Sequence, residues 1–321
     1  MTNNPSTRFS TFAQLKQGRW LLWKEAFYGY LFVFPWVLGF FIFTAYPMIA
    51  GAYYSFTEYE IFDAPRWVGM ANYTRIFSGA DELVGVSIRN TLYYVFLAVP
   101  ATLIAGLALA LLLNQSVRGI AFFRTLFYMP SIVPIVASIA VLMWIFHGQF
   151  GIVNLLLKQI GISGPAWLTD PDWVKGTLVI WAIWNVGGGM IINLAGLQAI
   201  PQHLYEAAEI DGANSWQRFW RITIPMLSST IFFNLIIGII GTFQVFVPAL
   251  LLGGTSWWTP AGGPLNSLLF YVLYIYQNGF IFFKMGYASA LAWVMFIVVL
   301  LLTLVQFWLA GRWVYYEADV R

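Results

Sequence analysis

The chain has 321 residues, 60% of them apolar and 9% charged, with 16 Trp, no Cys and a net charge of +3. Soluble domains carry about 25% charged residues, so lipid is the expected main solvent and the chain reads as a polytopic membrane protein. The missing Cys excludes disulfides, thiol catalysis and Cys metal sites. His147 and His203 are too far apart in sequence to suggest a His-rich site, and the small positive charge suits anionic lipid headgroups rather than nucleic acid.

Residues 1–26 read as a cytoplasmic tail or an interfacial helix, with aromatics at Phe9, Phe12, Trp20 and Trp23. Six apolar, uncharged segments follow, at 27–56, 91–114, 125–146, 177–199, 226–252 and 285–310. Each exceeds the roughly 20 residues that a hydrocarbon layer of about 30 Å requires. The first is longer than a signal-peptide core and lacks a small-residue cleavage site, so it is expected to remain as a span. Backbone groups in hydrocarbon need internal partners and no alternating strand pattern is present. The expected fold class is therefore an all-α membrane protein with six transmembrane helices over residues 27–310 and a C-terminal tail at 311–321.

Orientation follows from Lys and Arg. With the N-terminus inside, ten cations fall on inside segments (Arg8, Lys16, Arg19, Lys24, Arg118, Arg124, Arg218, Arg221, Arg312, Arg321). Six fall outside (Arg66, Arg75, Arg89, Lys158, Lys175, Lys284). Both termini are thus expected in the cytoplasm. The outside segments 57–90, 147–176 and 253–284 are long enough to contain structure of their own, with bends at the Gly- and Pro-rich stretches 253–260 and 262–264.

No Asp, Glu, Lys, Arg or His lies inside the six segments. An ionisable group at the bilayer centre costs about 2.5–3.5 kcal/mol on insertion scales, and proteins accept that cost for proton relays, ion coupling or voltage sensing. A proton-driven carrier and a charge-lined channel are therefore disfavoured. A membrane enzyme is too, since no carboxylate pair, Ser–His set or metal cluster can assemble at membrane depth. Neutral polar residues are present there instead: Asn185, Asn193, Asn234, Thr242 and Gln244. Each can be interhelical glue or part of a path for a hydroxyl-rich solute, with Trp181, Trp184, Phe243 and Phe246 as ring platforms. Trp184 with Asn185, and Thr242 with Gln244 and Phe246, are the expected substrate-pathway clusters. Gly187–Gly189 permits close approach or a kink.

Between the fourth and fifth segments, residues 200–225 form a charged island of soluble character. Pro201 suits the first turn of a helix carrying Leu204, Glu206, Ala207, Ala208 and Asp211, and Gly212 suits its left-handed cap. Ser215 is the expected cap of a second helix bearing Trp216, Phe219 and Trp220, with Pro225 opening the next span. Anionic lipid would repel Glu206, Glu209 and Asp211, so the first helix reads as a plug for a protein socket rather than a membrane-surface helix.

The pattern Glu206-Ala207-Ala208, then Gly212, then Ile222, Ile224 and Pro225 resembles the signature of permease subunits of bacterial ABC importers, with Ile224 in place of Leu. Flanking stretches at 67–73, 90–91, 130, 194–201, 262–264 and 286–291 resemble the carbohydrate-uptake class, typified by the maltose and glycerol-phosphate permeases. The resemblance covers about residues 28–317. It implies the ABC importer transmembrane fold, without the extra spans and large outside domain of the maltose subunit.

It also implies an ATPase-coupling site of Glu206, Ala207, Ala208, Asp211, Gly212 and Pro225, and a substrate pathway of Trp184, Asn185, Thr242, Gln244 and Phe246. The implied partners are a second permease subunit, two ATPase subunits, an extracytoplasmic solute-binding protein and the lipid bilayer of a bacterial inner membrane. ATP and Mg would be held by the ATPase, with no cofactor on this chain. A neutral sugar is the expected cargo. A polyol or glycerophosphodiester is the alternative, and an ATPase-independent secondary carrier is a more distant one.

Overall fold

The computed structural model describes residues 6–254 and 262–315, with side chains at Trp20 and from Trp23 onward. Most of the expected 253–260 bend, residues 316–321 and the side chains of Phe9 and Phe12 lie outside the described residues. The chain divides into two units, 1–54 and 55–321.

In the first unit, α1 (Ser6–Phe40) runs through a π turn (Phe41–Ala45) into α2 (Tyr46–Ser55). The helix is continuous through residue 26, where the sequence divides tail from span, and the stretch Trp23–Ser55 is long and apolar enough to cross a membrane. Its large side chains point outward, with Phe32 82% and Phe43 80% exposed, as lipid-facing residues do. Pro47 has no N–H to give the carbonyl of Phe43, and the π turn around that carbonyl absorbs the defect.

The second unit opens on a two-residue ladder, β1 (Thr57–Glu58) against β2 (Arg66–Trp67), closed by an Arg66–Glu58 ion pair. A short α3 (Ala71–Phe77) leads to α4 (Glu82–Leu113). Then come α5 (Ile120–Ile132), α6 (Ile135–Ile145), α7 (Ile152–Gln159), α8 (Val174–Trp184) and α9 (Gly187–Ala199). These are followed by α10 (Gln202–Ile210), α11 (Ser215–Arg218), α12 (Ile224–Met226), α13 (Ser228–Phe243) and α14 (Val247–Leu252). A 3-10 turn (Pro264–Asn266), α15 (Tyr271–Tyr276) and α16 (Met285–Ala310) complete the unit.

Helix α4 is the axis, with α8, α9, α13 and α15 against it. Around its first half, Tyr94 and Ala98 bury against Leu178, Val245, Ala249, Phe270 and Leu273. Around its second half, Ala110 and Leu113 bury against Met190, Leu194, Leu197 and Leu227. Because apolar side chains gain little by leaving lipid, such contacts depend on close packing and small residues. A Cβ on Gly187 would crowd the Phe127 carbonyl of α5, and one on Gly196 would press Thr230 of α13.

Among the described residues, four helices are long and apolar enough to span, or six if each bent pair counts as one. The expected straight span 125–146 is instead α5 and α6, turned by 101° at Val133–Pro134. Pro134 forces Val133 out of the helical region (φ −69°, ψ 132°). The expected span 177–199 breaks by 43° at Asn185–Val186. The expected span 226–252 breaks at Gln244–Phe246, where Phe246 is non-helical (φ −133°, ψ −65°). The long connections do carry their own elements, namely the strand pair with α3, then α7, then α15.

Candidate functional site

Two separate places have chemistry. The first is the 200–225 island. Pro201 caps α10, whose Leu204 and Tyr205 pack toward the cluster around Leu197 and Leu227. The Tyr205 and Thr223 hydroxyls lie 3.0 Å apart, which fastens the helix to the following chain. The opposite face carries Glu206, Ala207, Glu209 and Ile210 into the open.

The helix ends in a two-bond cap. Ala213 N–H donates to the Ala208 carbonyl (2.8 Å) and Gly212 N–H to that of Glu209 (3.0 Å). That geometry requires a left-handed residue, and Gly212 has φ +79°. Asp211 is the last, exposed position before it. The next helix is capped by Asn214 rather than by the expected Ser215. Asn214 and Gln217 exchange side-chain to backbone hydrogen bonds of 2.8 and 2.9 Å, a reciprocal box that Ser215, one residue inside the helix, does not make. Arg218 reaches Glu209 at 3.4 Å, linking the two helices.

Pro225 lies in the first turn of α12, as expected. It follows a π turn (Phe219–Thr223) in a nearly continuous helical run, with its missing N–H falling opposite the Arg221 carbonyl inside that turn. Ile210, which sequence reasoning did not single out, is 87% exposed beside Glu206. An apolar side chain so placed on an acidic helix is the signal that was available in the sequence.

The second place is a cavity of about 350 Å³. Two broken helices meet there, α8 where it ends at Asn185 and α13 where it ends before Gln244. Asn185, Thr242, Gln244 and Phe246 all line it, with Tyr94 of α4 and Trp181. Trp184, the fifth expected pathway residue, does not. It lines a separate, mostly apolar groove of about 560 Å³ between α5, α6 and α8. One residue of helical rotation, about 100°, turns it away from Asn185. Trp181 touches both spaces and donates its indole N–H to Ser138 (2.8 Å). Asn185 donates to the Trp181 carbonyl at 2.9 Å, and Phe246 packs on Tyr276 at 5.1 Å.

The other two polar residues are glue. Asn234 donates to Asn193 at 2.9 Å, joining α13 to α9.

A polar knot at the far end of α4 was not foreseen. Asp81, nearly buried, accepts hydrogen bonds from Tyr274 (2.6 Å) and Tyr287 (2.8 Å), with Arg75 at 3.6 Å. Burial first, and then the bond to Asp81, raise the Tyr274 phenol above its ordinary pKa. Tyr274 and Tyr287 lie 193 and 206 positions from Asp81, so no local pattern announces them.

Broken apolar helices that bring neutral polar groups to one open cavity, together with an exposed cap-stopped acidic helix, describe a multi-pass membrane transport component. Residues 93–314 match the family described as binding-protein-dependent transport system inner membrane component, and the chain belongs to that family. It is 42% identical to a probable ABC transporter permease protein, YesP, of Bacillus subtilis, over 92% of this chain and 94% of that protein. It is 35% identical to the lactose transport system permease protein LacF of Rhizobium radiobacter, over 88% and 93%. Among solved structures, a chain of a bacterial alginate ABC transporter, in complex with an alginate pentasaccharide-bound periplasmic protein, aligns with a TM-score of 0.80. The two are 26% identical, with 91% of this chain and 97% of that one covered.

Proposed function

We propose that this chain is one permease subunit of an ATP-driven importer of a sugar or oligosaccharide, with its cargo passing the cavity between Asn185 and Gln244. Relatives named for lactose and arabinooligosaccharide transport, and the alginate transporter of similar structure, support a sugar as cargo. No charged side chain lines the cavity, which fits a hydroxyl-rich ligand whose seated part is neutral. A polyol would meet the same lining.

The observation that carries the coupling mechanism is α10. It presents Glu206, Ala207 and Ile210 outward and is closed by Gly212. In this reading Glu206 meets a basic residue of a soluble ATPase that holds ATP and Mg. Ala207 and Ala208 allow close seating, and the Gly212 turn passes movement to the spans. ATP-driven closure of two ATPase subunits then shifts the population between inward- and outward-open states. A second permease subunit completes the path and an extracytoplasmic binding protein delivers the cargo. In this reading both termini and α10 face the cytoplasm, which the Lys and Arg bias supports.

Reconstitution tests this. The chain, its second permease, the ATPase and the binding protein in liposomes should concentrate labelled oligosaccharide only with ATP. If the purified chain alone concentrated the sugar without nucleotide, the coupling mechanism would be wrong and a secondary carrier would replace it.

A further inference from the structure

Two cations stand on the helices that form the cavity, beyond the apolar limits read from sequence. Helix α4 begins at Glu82 and carries Arg89, and α8 begins at Val174 and carries Lys175. Lys175 lies on the same face of α8 as Ala182, seven residues on, which lines the cavity. Its ammonium turns onto α4, donating to Asn90 Oδ1 at 3.2 Å and lying 4.9 Å from the centre of the Tyr93 ring. Asn90 is one turn from Tyr94, which also lines the cavity. From both helices, then, the ammonium sits about one to two turns from the cavity wall, on the side away from α10.

Arg89 precedes Asn90, shares a face with Tyr93 at the i, i+4 spacing, and is close enough to act on the Lys175 charge. Neither takes part in any of the three ion pairs among the described residues. Burial first, and Arg89 after it, disfavour the Lys175 charge, and the exposed Asp172 carboxylate, one turn back, offsets them only in part. The Asn90 amide is spent on the Asn266 and Leu269 carbonyls, at 2.8 and 3.1 Å, so its one oxygen holds Lys175 in place. A fixed ammonium with donors to spare and a free guanidinium repel each other unless an oxyanion sits between them.

Taking the cavity as the cargo path, we infer that Lys175 and Arg89 form an anion-selecting rim, and that the cargo is an acidic oligosaccharide whose carboxylate docks there while a neutral ring enters the Asn185–Gln244 cavity. Arg89 presents the planar fork that a carboxylate matches, and Lys175 adds a compact charge held by Asn90 and Tyr93.

The test uses the assembled importer in liposomes, with a panel of uronate trisaccharides and their carboxyl-reduced, neutral counterparts. The expected wild-type preference is for acidic members. Lys175→Gln with Arg89→Gln should lower the acid-to-neutral uptake ratio about tenfold, the size expected from losing charge-assisted hydrogen bonds. Lys175→Arg should retain most of the preference. An unchanged ratio would overturn the inference. So would an equal fall for acidic and neutral cargo, because the oxyanion would then be a lipid phosphate or a carboxylate of the second permease. Uptake of neither form with ATP would instead remove the importer reading on which the inference rests.

Discussion

The Tyr274 hydroxyl donates to the Asp81 carboxylate at 2.6 Å across 193 positions of sequence. The bond ties the start of α4 to α15, and Tyr287 extends it to α16. A carboxylate this enclosed is stable only while its donors remain. Asp81→Ala should therefore cost about 2–4 kcal/mol, since hydrogen bonds to charged groups contribute about 1.5–3 kcal/mol each. Tyr274→Phe should cost less, because Tyr287 and Arg75 still serve the carboxylate. Thermal unfolding of the detergent-solubilised protein would rank the two.

The same bond gives a pH dependence. Tyr274 has its pKa raised in the folded protein from an ordinary value of 10.0. The unfolded phenol therefore loses its proton first. The stability contributed is full below pH 10 and declines as pH rises above it. Between pH 9 and 11 the wild type should lose more stability than Tyr274→Phe, which has no phenol to ionise. Parallel losses would show that the phenol is not linked to folding.

Glu206→Ala removes one of the exposed charges of α10 without touching its packing. Gly212→Pro replaces a residue at φ +79° with one fixed near −65°. Both proteins should insert and assemble the spans, yet lose at least about tenfold in ATP-driven uptake and in cargo-stimulated ATPase activity, Glu206→Ala by losing a charge-assisted contact of about 1.4 kcal/mol or more and Gly212→Pro by losing the left-handed cap and its N–H bond to the Glu209 carbonyl. Full uptake by both would remove α10 from the coupling role.

Gln244 lines the cavity and is exposed. Gln244→Ala should change sugar selectivity or rate with wild-type levels of assembled complex. Asn185→Ala should do the same, with a small added loss of stability from its bond to the Trp181 carbonyl. Uptake rates over a panel of sugars would report both, and unchanged rates for every sugar would dissociate the cavity from the path.

The Asn193–Asn234 bond is a simple case of glue. A double-mutant cycle to Ala should give a coupling of about 0.6–1.7 kcal/mol, the range for interhelical bonds in lipid. Sugar selectivity should not change. A selectivity change would move this pair into the transport path.

Some of this was legible along the chain. The apolar segments give the membrane class, because a span needs only local length and composition. The turn at Gly212 was legible for a similar reason, since a left-handed cap has few candidates but Gly. The 101° turn was less so. Pro134 was visible, but a proline can kink or end a helix, and only packing selects between them. Trp184 was placed wrongly with Asn185 because adjacency in sequence is not adjacency on a helix.

By itself, then, the sequence determined what solvent the chain lives in, where its charged island lies and which neutral polar groups sit at membrane depth. These follow from hydropathy and backbone preference, which act over one or two turns. The tertiary structure alone decided that the breaks at Asn185 and Gln244 face one cavity and that Asp81 finds Tyr274 and Tyr287. It also decided that Lys175 bends onto Asn90 beside Arg89. Each of these depends on which helix faces α4 and at what rotation, a choice made by long-range packing that no local pattern encodes.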